Sequence, residues 1–148
     1  MTKKRRKMEF IPQSDVNDCG ITCLRMIAKY YGKEKILRDI HNYKLHKSGI
    51  SLLEIARLAE EIGFKSLSAR LAFDELKTKV EFPCIAYFKN KHFVVIYRVK
   101  EDIIYVADPA VGLVLFNKRE FLERWVIKKN GKKDKGICLL IEPIEEIK

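Results

Sequence analysis

The chain of 148 residues has one tryptophan, three histidines and four cysteines, and it is short of acidic side chains. It has no uninterrupted apolar stretch near the ~18 residues that a membrane-spanning helix needs. Its basic start, KKRRK, is followed by MEFIPQSDVND, which is too polar for the apolar part of a secretory signal. These absences predict a cytosolic domain whose thiols are reduced. The spacing of Cys19, Cys23, Cys84 and Cys138 matches no common zinc pattern, and no phosphate-binding loop is present. No metal and no cofactor is therefore expected. Beyond the basic start there is no low-complexity segment, and there is no internal repeat.

The deficit of acid leaves a net charge of +10, which asks for an acidic partner. The charge is concentrated in residues 3–7 and 128–135. Neither cluster is interleaved with the aromatic residues of a base-stacking surface. The expectation is a basic tail over residues 1–9 and a solvated loop, with no nucleic acid as partner. Asn130-Gly131 within that loop marks a hairpin tip. The content of 47% apolar and 34% charged residues suits one globular domain over residues 10–148, long enough to bury a core.

The first half reads as helical. Gly20, Cys23, Leu24, Ile27, Ala28 and Tyr31 form one stripe of a helix that Asp18 caps and Gly32 stops. A short helix is expected from Lys35 to about Tyr43. In SGISLLEIARLAEEIG, Ser51 and Glu54 make a capping box and Gly63 ends the helix. One more turn is expected at AFDELK. The second half changes to period two: CIAYF, HFVVIYRV, IIYVA, LVLF and GICLLIE read as strands, interrupted by the helix NKREFLERW. Helices followed by an antiparallel sheet give an α+β fold, with the helices packed on the sheet.

Cys19 stands at the start of the first helix, where it could be a core residue, a metal ligand, half of a disulfide or a nucleophile. A helix N-terminus and a nearby imidazole both favour the thiolate. His41 and His46 lie in a loop-rich stretch without an evident partner, whereas His92 begins a strand. The turn near Lys100 to Asp102 fixes the sum of opposed residue numbers at about 200 to 203. At a sum of 200, His92 faces Asp108, Val94 faces Val106 and Ile96 faces Ile104. A carboxylate would then hold the imidazole at the end of the sheet. Gln13, six residues before Cys19, could donate to an oxyanion beside the Cys19 N–H. Cys23, one turn further along, reads as core, as do Cys84 and Cys138 in their apolar strands, and Trp125 at a helix end reads as a core or rim aromatic. Asp18 and Asp15 would raise the thiol pKa, unless backbone N–H groups occupy the Asp18 carboxylate. Asp108 before Pro109 also fits a plain turn starter.

The segment QSDVNDCGITCL resembles the active-site segment of the papain-like peptidase domain at the N-terminus of bacteriocin-processing ABC transporters. KHFVVIYRV and YVADPAVG resemble that family's histidine and aspartate segments, in the same order. The resemblance runs from Phe10 to about Glu142. It implies a papain-like fold, Cys19 as nucleophile, His92 as general base and acid, Asp108 as its orienter and Gln13 as oxyanion donor. It also implies cleavage after a Gly-Gly pair of a bacteriocin or lanthipeptide precursor, with transporter membrane and nucleotide-binding domains as partners. An amphipathic, often acidic leader helix would dock in an apolar groove, on a domain at the cytoplasmic face of the membrane. Two rivals stand beside this reading: another Cys-His-Asp amidase or acyltransferase, and a noncatalytic module that holds cargo peptide. A nucleic-acid binder rests on charge alone.

Overall fold

Alternating apolar residues in the second half of the chain build a seven-stranded antiparallel sheet, with helices on both of its faces. The computed structural model describes residues 7–15, 17–35, 50–128 and 134–144. The elements in chain order are α1 (Cys19–Tyr30), α2 (Leu52–Glu61), β1 (Phe64–Ala72), α3 (Phe73–Lys79), β2 (Cys84–Phe88), β3 (His92–Lys100), β4 (Ile103–Asp108), β5 (Gly112–Asn117), α4 (Lys118–Trp125), β6 (Val126–Lys128) and β7 (Lys135–Pro143). The strands lie in the order β1-β7-β2-β3-β4-β5, with β6 paired to β7. The expected α+β class holds.

Period two divides the strand residues between two cores. Ile85, Phe93, Val95, Ala107, Leu139 and Ile141 face α1 and α2. Cys84, Ala86, Val94, Ile96, Ile104, Val106 and Cys138 face α3 and α4. Helix α1 buries its whole run from Cys19 to Leu24, then Met26, Ile27 and Ala28. It therefore sits as a central helix, covered by the sheet and by α2. Gly20 lets α2 come close: a Cβ there would lie 2.7 Å from Ile55 Cδ1. The capping box of α2 forms as expected. Glu54 N–H donates to Ser51 Oγ at 3.2 Å, and Ser51 N–H to Glu54 Oε1 at 3.0 Å. Asn117 and Glu120 make a second box at the start of α4. Cys23, Cys84, Cys138 and Trp125 are all fully buried, as their surroundings in the sequence suggest.

Three expectations need correction. Strand β1 was not among the expected strands, because FKSLSARLA contains no β-branched residue. Its extended state comes from tertiary pairing, nine residues against β7 from Phe64↔Pro143 to Ala72↔Lys135. The β3–β4 register is also different. Near the strand ends the sum is 202, with Val95 opposite Ala107 and Ile96 opposite Val106, not Ile104. A bulge between Ile96 and Arg98 changes it to 203, so Ile104 faces Val99. Finally, Asp18 occupies the N-cap of α1, but its side chain makes no capping hydrogen bond. The short helix expected from Lys35 to about Tyr43 and the Asn130-Gly131 tip lie mostly or wholly outside the described residues, as do His41 and His46. Among the described residues, no helix is long and apolar enough to cross a membrane.

The contact of β7 with α4 makes a stability prediction. Trp125 is fully buried and its Nε1–H donates to Ile137 O at 3.1 Å. A Cβ on Gly136 would overlap Cδ2, Cε2 and Nε1 of the Trp125 indole. Gly136→Ala should therefore cost about 1–3 kcal/mol of stability through overpacking. Urea unfolding followed by Trp125 fluorescence measures this; an unchanged midpoint would mean that the indole has room to move.

Candidate active site

The site forms at one end of the sheet, where α1, β3 and β4 meet. The turn before β3 holds Lys91 at φ 61, a left-handed conformation uncommon outside glycine, and His92 follows it directly. His92 Nε2 lies 2.6 Å from Asp108 Oδ1. With a sum of 202, the two are diagonal neighbours across the β3–β4 ladder, not directly opposed. A two-residue offset preserves side-chain parity, so the pair still meets. Asp108 also starts the turn after β4: Oδ1 accepts the Ala110 N–H at 2.9 Å, and its carbonyl accepts the Val111 N–H at 3.0 Å. It is thus both turn starter and histidine partner, with a side chain only 11% exposed.

The Cys19 thiol lies beside the His92 ring, and each perturbs the titration of the other. Since Nε2 is engaged by Asp108, Nδ1 is the ring nitrogen left for the thiol. Cys19 is 8% exposed, more enclosed than a solvent-facing helix start suggests. Burial pushes its pKa up. The His92 hydrogen bond, the Phe93 backbone N–H, the imidazolium charge and the Gly20 N–H together outweigh burial and hold the thiol below 9.0. His92 moves the other way, from 6.5 up to about 9, first through its bond to Asp108 and then through that to Cys19, against desolvation. The two shifts move the pair towards a thiolate beside an imidazolium. Burial instead drives the Cys23 thiol well above 9.0, and Cys84 is raised by its contact with Cys138 and by burial. All four thiols are free.

Gln13 reaches the site through its backbone, donating its N–H to Pro109 O at 3.0 Å, next to Asp108. Its side-chain Nε2 donates to Asp15 O at 3.0 Å, while its buried Oε1 has no hydrogen-bond partner among the described residues. Of the four residues singled out in the sequence, Cys19, His92 and Asp108 are brought together, with His92 bonded to Asp108 and beside the Cys19 thiol. Gln13 is tied to the same turn as Asp108. The Phe93 and Gly20 N–H groups escaped sequence reasoning because backbone donors leave no residue signature. Among the described residues, no group of three or more His, Cys, Asp or Glu side chains could hold a metal ion.

The family model for the peptidase C39 family matches residues 7–130. The chain belongs to this family of cysteine peptidases. It is 32% identical over 148 residues to the lactococcin-G-processing and transport ATP-binding protein LagD of Lactococcus lactis subsp. lactis, covering 95% of this chain and 20% of LagD. Against the colicin V secretion/processing ATP-binding protein CvaB of Escherichia coli, identity is 32% over 117 residues, or 78% of this chain and 17% of CvaB. This C39 chain thus spans about a fifth of the length of the curated relatives it matches. Its fold is that of solved C39 peptidase domains. It matches a double glycine motif protease from an AMS/PCAT transporter, solved in complex with the leader peptide, at TM-score 0.75 and 29% identity over 96% of both chains. It matches the peptidase domain of Streptococcus ComA at TM-score 0.71 and 24% identity, covering 93% of this chain and 99% of that one.

The opposed shifts of Cys19 and His92 predict a reactivity order. Iodoacetamide at pH 7 should alkylate Cys19 well before Cys84 or Cys138, as peptide mapping would read out. His92→Ala removes the leading lowering contribution and leaves burial, so labelling of Cys19 should slow and require more alkaline pH. Equal labelling rates in the two proteins would dissolve the pair.

Proposed function

We propose that the chain is the leader peptidase of a bacteriocin or lanthipeptide exporter, cutting a precursor after its Gly-Gly motif. The observation that carries the reading is the His92–Asp108 bond beside Cys19, at the N-terminus of α1 in a C39 fold. Cys19 thiolate attacks the carbonyl of the second glycine. His92, held by Asp108, protonates the leaving amine and then takes a proton from the water that releases the acyl-enzyme. The Gln13 side-chain amide has a second N–H beyond the one given to Asp15, and with the Cys19 N–H it receives the oxyanion. Each step uses only side chains, backbone and water.

Glycines offer no side chain to grip, so affinity must come from the leader. The sheet leaves an apolar face on the same side as α1. Ala107 packs under α1, its partner across the ladder is Leu113, and Leu115 stands opposite Tyr105. Leu113 is 50% and Leu115 60% exposed, and Tyr97 and Tyr105 meet edge to face with ring centroids 5.9 Å apart. An amphipathic leader helix suits this face, and the chain's charge of +10 suits an acidic one. The relatives named above are transport ATP-binding proteins. By analogy the domain works on the cytoplasmic face of the membrane, ahead of transporter membrane and nucleotide-binding domains.

Incubation with a double-glycine leader peptide and mass spectrometry tests the reading. Cleavage after the second glycine is expected without added metal or ATP, and a chelator should leave it intact. Cys19→Ala should abolish cleavage while retaining leader binding; a noncatalytic binding module would bind and never cut. Gln13→Ala should lower kcat roughly 100-fold with little change in KM. Leu115→Ser should raise KM for the leader-bearing substrate and leave a short Gly-Gly peptide unaffected. If both substrates are cut equally well by the unaltered chain, the apolar face plays no part.

A further inference from the structure

The loop before α1 is organised by one residue that has no part in the chemistry described so far. Asp15 Oδ1 accepts the Asn17 N–H at 3.1 Å, closing a tight side-chain turn. The Asp15 carbonyl accepts two further bonds, from the Asp18 N–H at 3.0 Å and from Gln13 Nε2 at 3.0 Å. The first of these joins the loop to the start of α1, one residue before Cys19. The second is the one hydrogen bond that the Gln13 side chain makes among the described residues, because its Oε1 is buried without a partner. A side-chain amide held at one end only takes its orientation from that end.

We propose that Asp15 is a positioning residue for the oxyanion site: its carboxylate closes the turn that aims its own carbonyl at Gln13, and so sets where the second Gln13 N–H points. This rests on the role proposed above for Gln13. The bond also settles which end of the amide is which, since an oxygen facing the Asp15 carbonyl would be repelled. The backbone bond from Gln13 to Pro109 fixes where residue 13 sits, but leaves its side chain free to rotate. Asp15 removes that remaining freedom. Its function is geometric and not electrostatic, because an asparagine oxygen can accept the same Asn17 N–H without the charge.

Asp15→Ala and Asp15→Asn, made in the full chain, separate this from a merely structural role. With a double-glycine leader peptide, Asp15→Ala should lower kcat by about ten-fold or more, since small misplacements of a reacting group are costly. KM should change by less than about two-fold, and Asp15→Asn should recover most of the loss. Nitrogen-15 NMR gives a readout independent of turnover. The Gln13 side-chain amide pair should be shifted from free glutamine in the unaltered chain and in Asp15→Asn, and should collapse towards it in Asp15→Ala. Unmoved Gln13 amide signals in Asp15→Ala, or full kcat, would overturn the proposal. A normal amide shift with no leader cleavage by the unaltered chain would instead count against the peptidase reading, and leave the turn's hold on Gln13 standing. A loss in Asp15→Asn as large as in Asp15→Ala would show that charge, not the turn, is what matters.

Discussion

A single 2.6 Å bond between His92 Nε2 and Asp108 Oδ1 sets the chemistry of this fold. It joins the first residue of β3 to the last residue of β4, so it exists only while the two strands keep their register. It selects which imidazole nitrogen is left for Cys19, and it is the largest cause of the rise of His92 to about 9. The raised imidazole in turn holds the thiol down. Asp108 is itself fixed by the turn it starts, through the Ala110 and Val111 N–H groups. Orientation passes from a turn to a carboxylate, from there to a ring, and from the ring to a sulfur.

The site shows two opposed effects of burial. For Cys23, surrounded by core, desolvation stands first and the thiol remains protonated. For Cys19, one helical turn away, desolvation is again the largest single effect, yet it loses to a sum of smaller hydrogen bonds and charges. The difference is what each thiol meets: Cys19 reaches the His92 side chain and then the Phe93 and Gly20 N–H groups, whereas burial and the charges of Cys19 and Asp108 all act against ionisation of Cys23. The same linkage gives the pH dependence of the fold. A histidine raised from 6.5 to about 9 contributes stability in full below about pH 6.5, and that contribution is lost as pH rises through about 9.

Much of this was legible in the sequence, for physical reasons that differ from place to place. Ser51 and Glu54 announced α2 because capping is local chemistry, and the strands β2 to β5 announced themselves by period and β-branching. His92 and Asp108 could be brought together because a short turn constrains the sum of paired positions, and Cys19 joined them through its place at a helix start and the family resemblance. The actual sum of 202 was within the expected range, though the bulge near Tyr97 could not be read from side-chain types. Strand β1 was illegible because its serines, lysine and arginine have no preference for strands; pairing with β7, some seventy positions later, decides its state. Asp18 misled for a related reason. It has the right side chain at the right place, but its backbone, at φ −96 and ψ 7, is not the extended one from which a cap side chain reaches the helix N–H groups.

The bulge in β3 has a consequence for how the chain tolerates change. Between it and the tip at Lys100 to Asp102, pairing follows a sum of 203; between it and His92, a sum of 202. The extra residue lies between the turn and the reactive end of the ladder. A residue gained or lost at the tip can be absorbed there, by removing or enlarging an irregularity that already exists, while Val95 and Ala107 stay opposed. The bulge thus stands between the hairpin tip and the pairing that holds imidazole and carboxylate together.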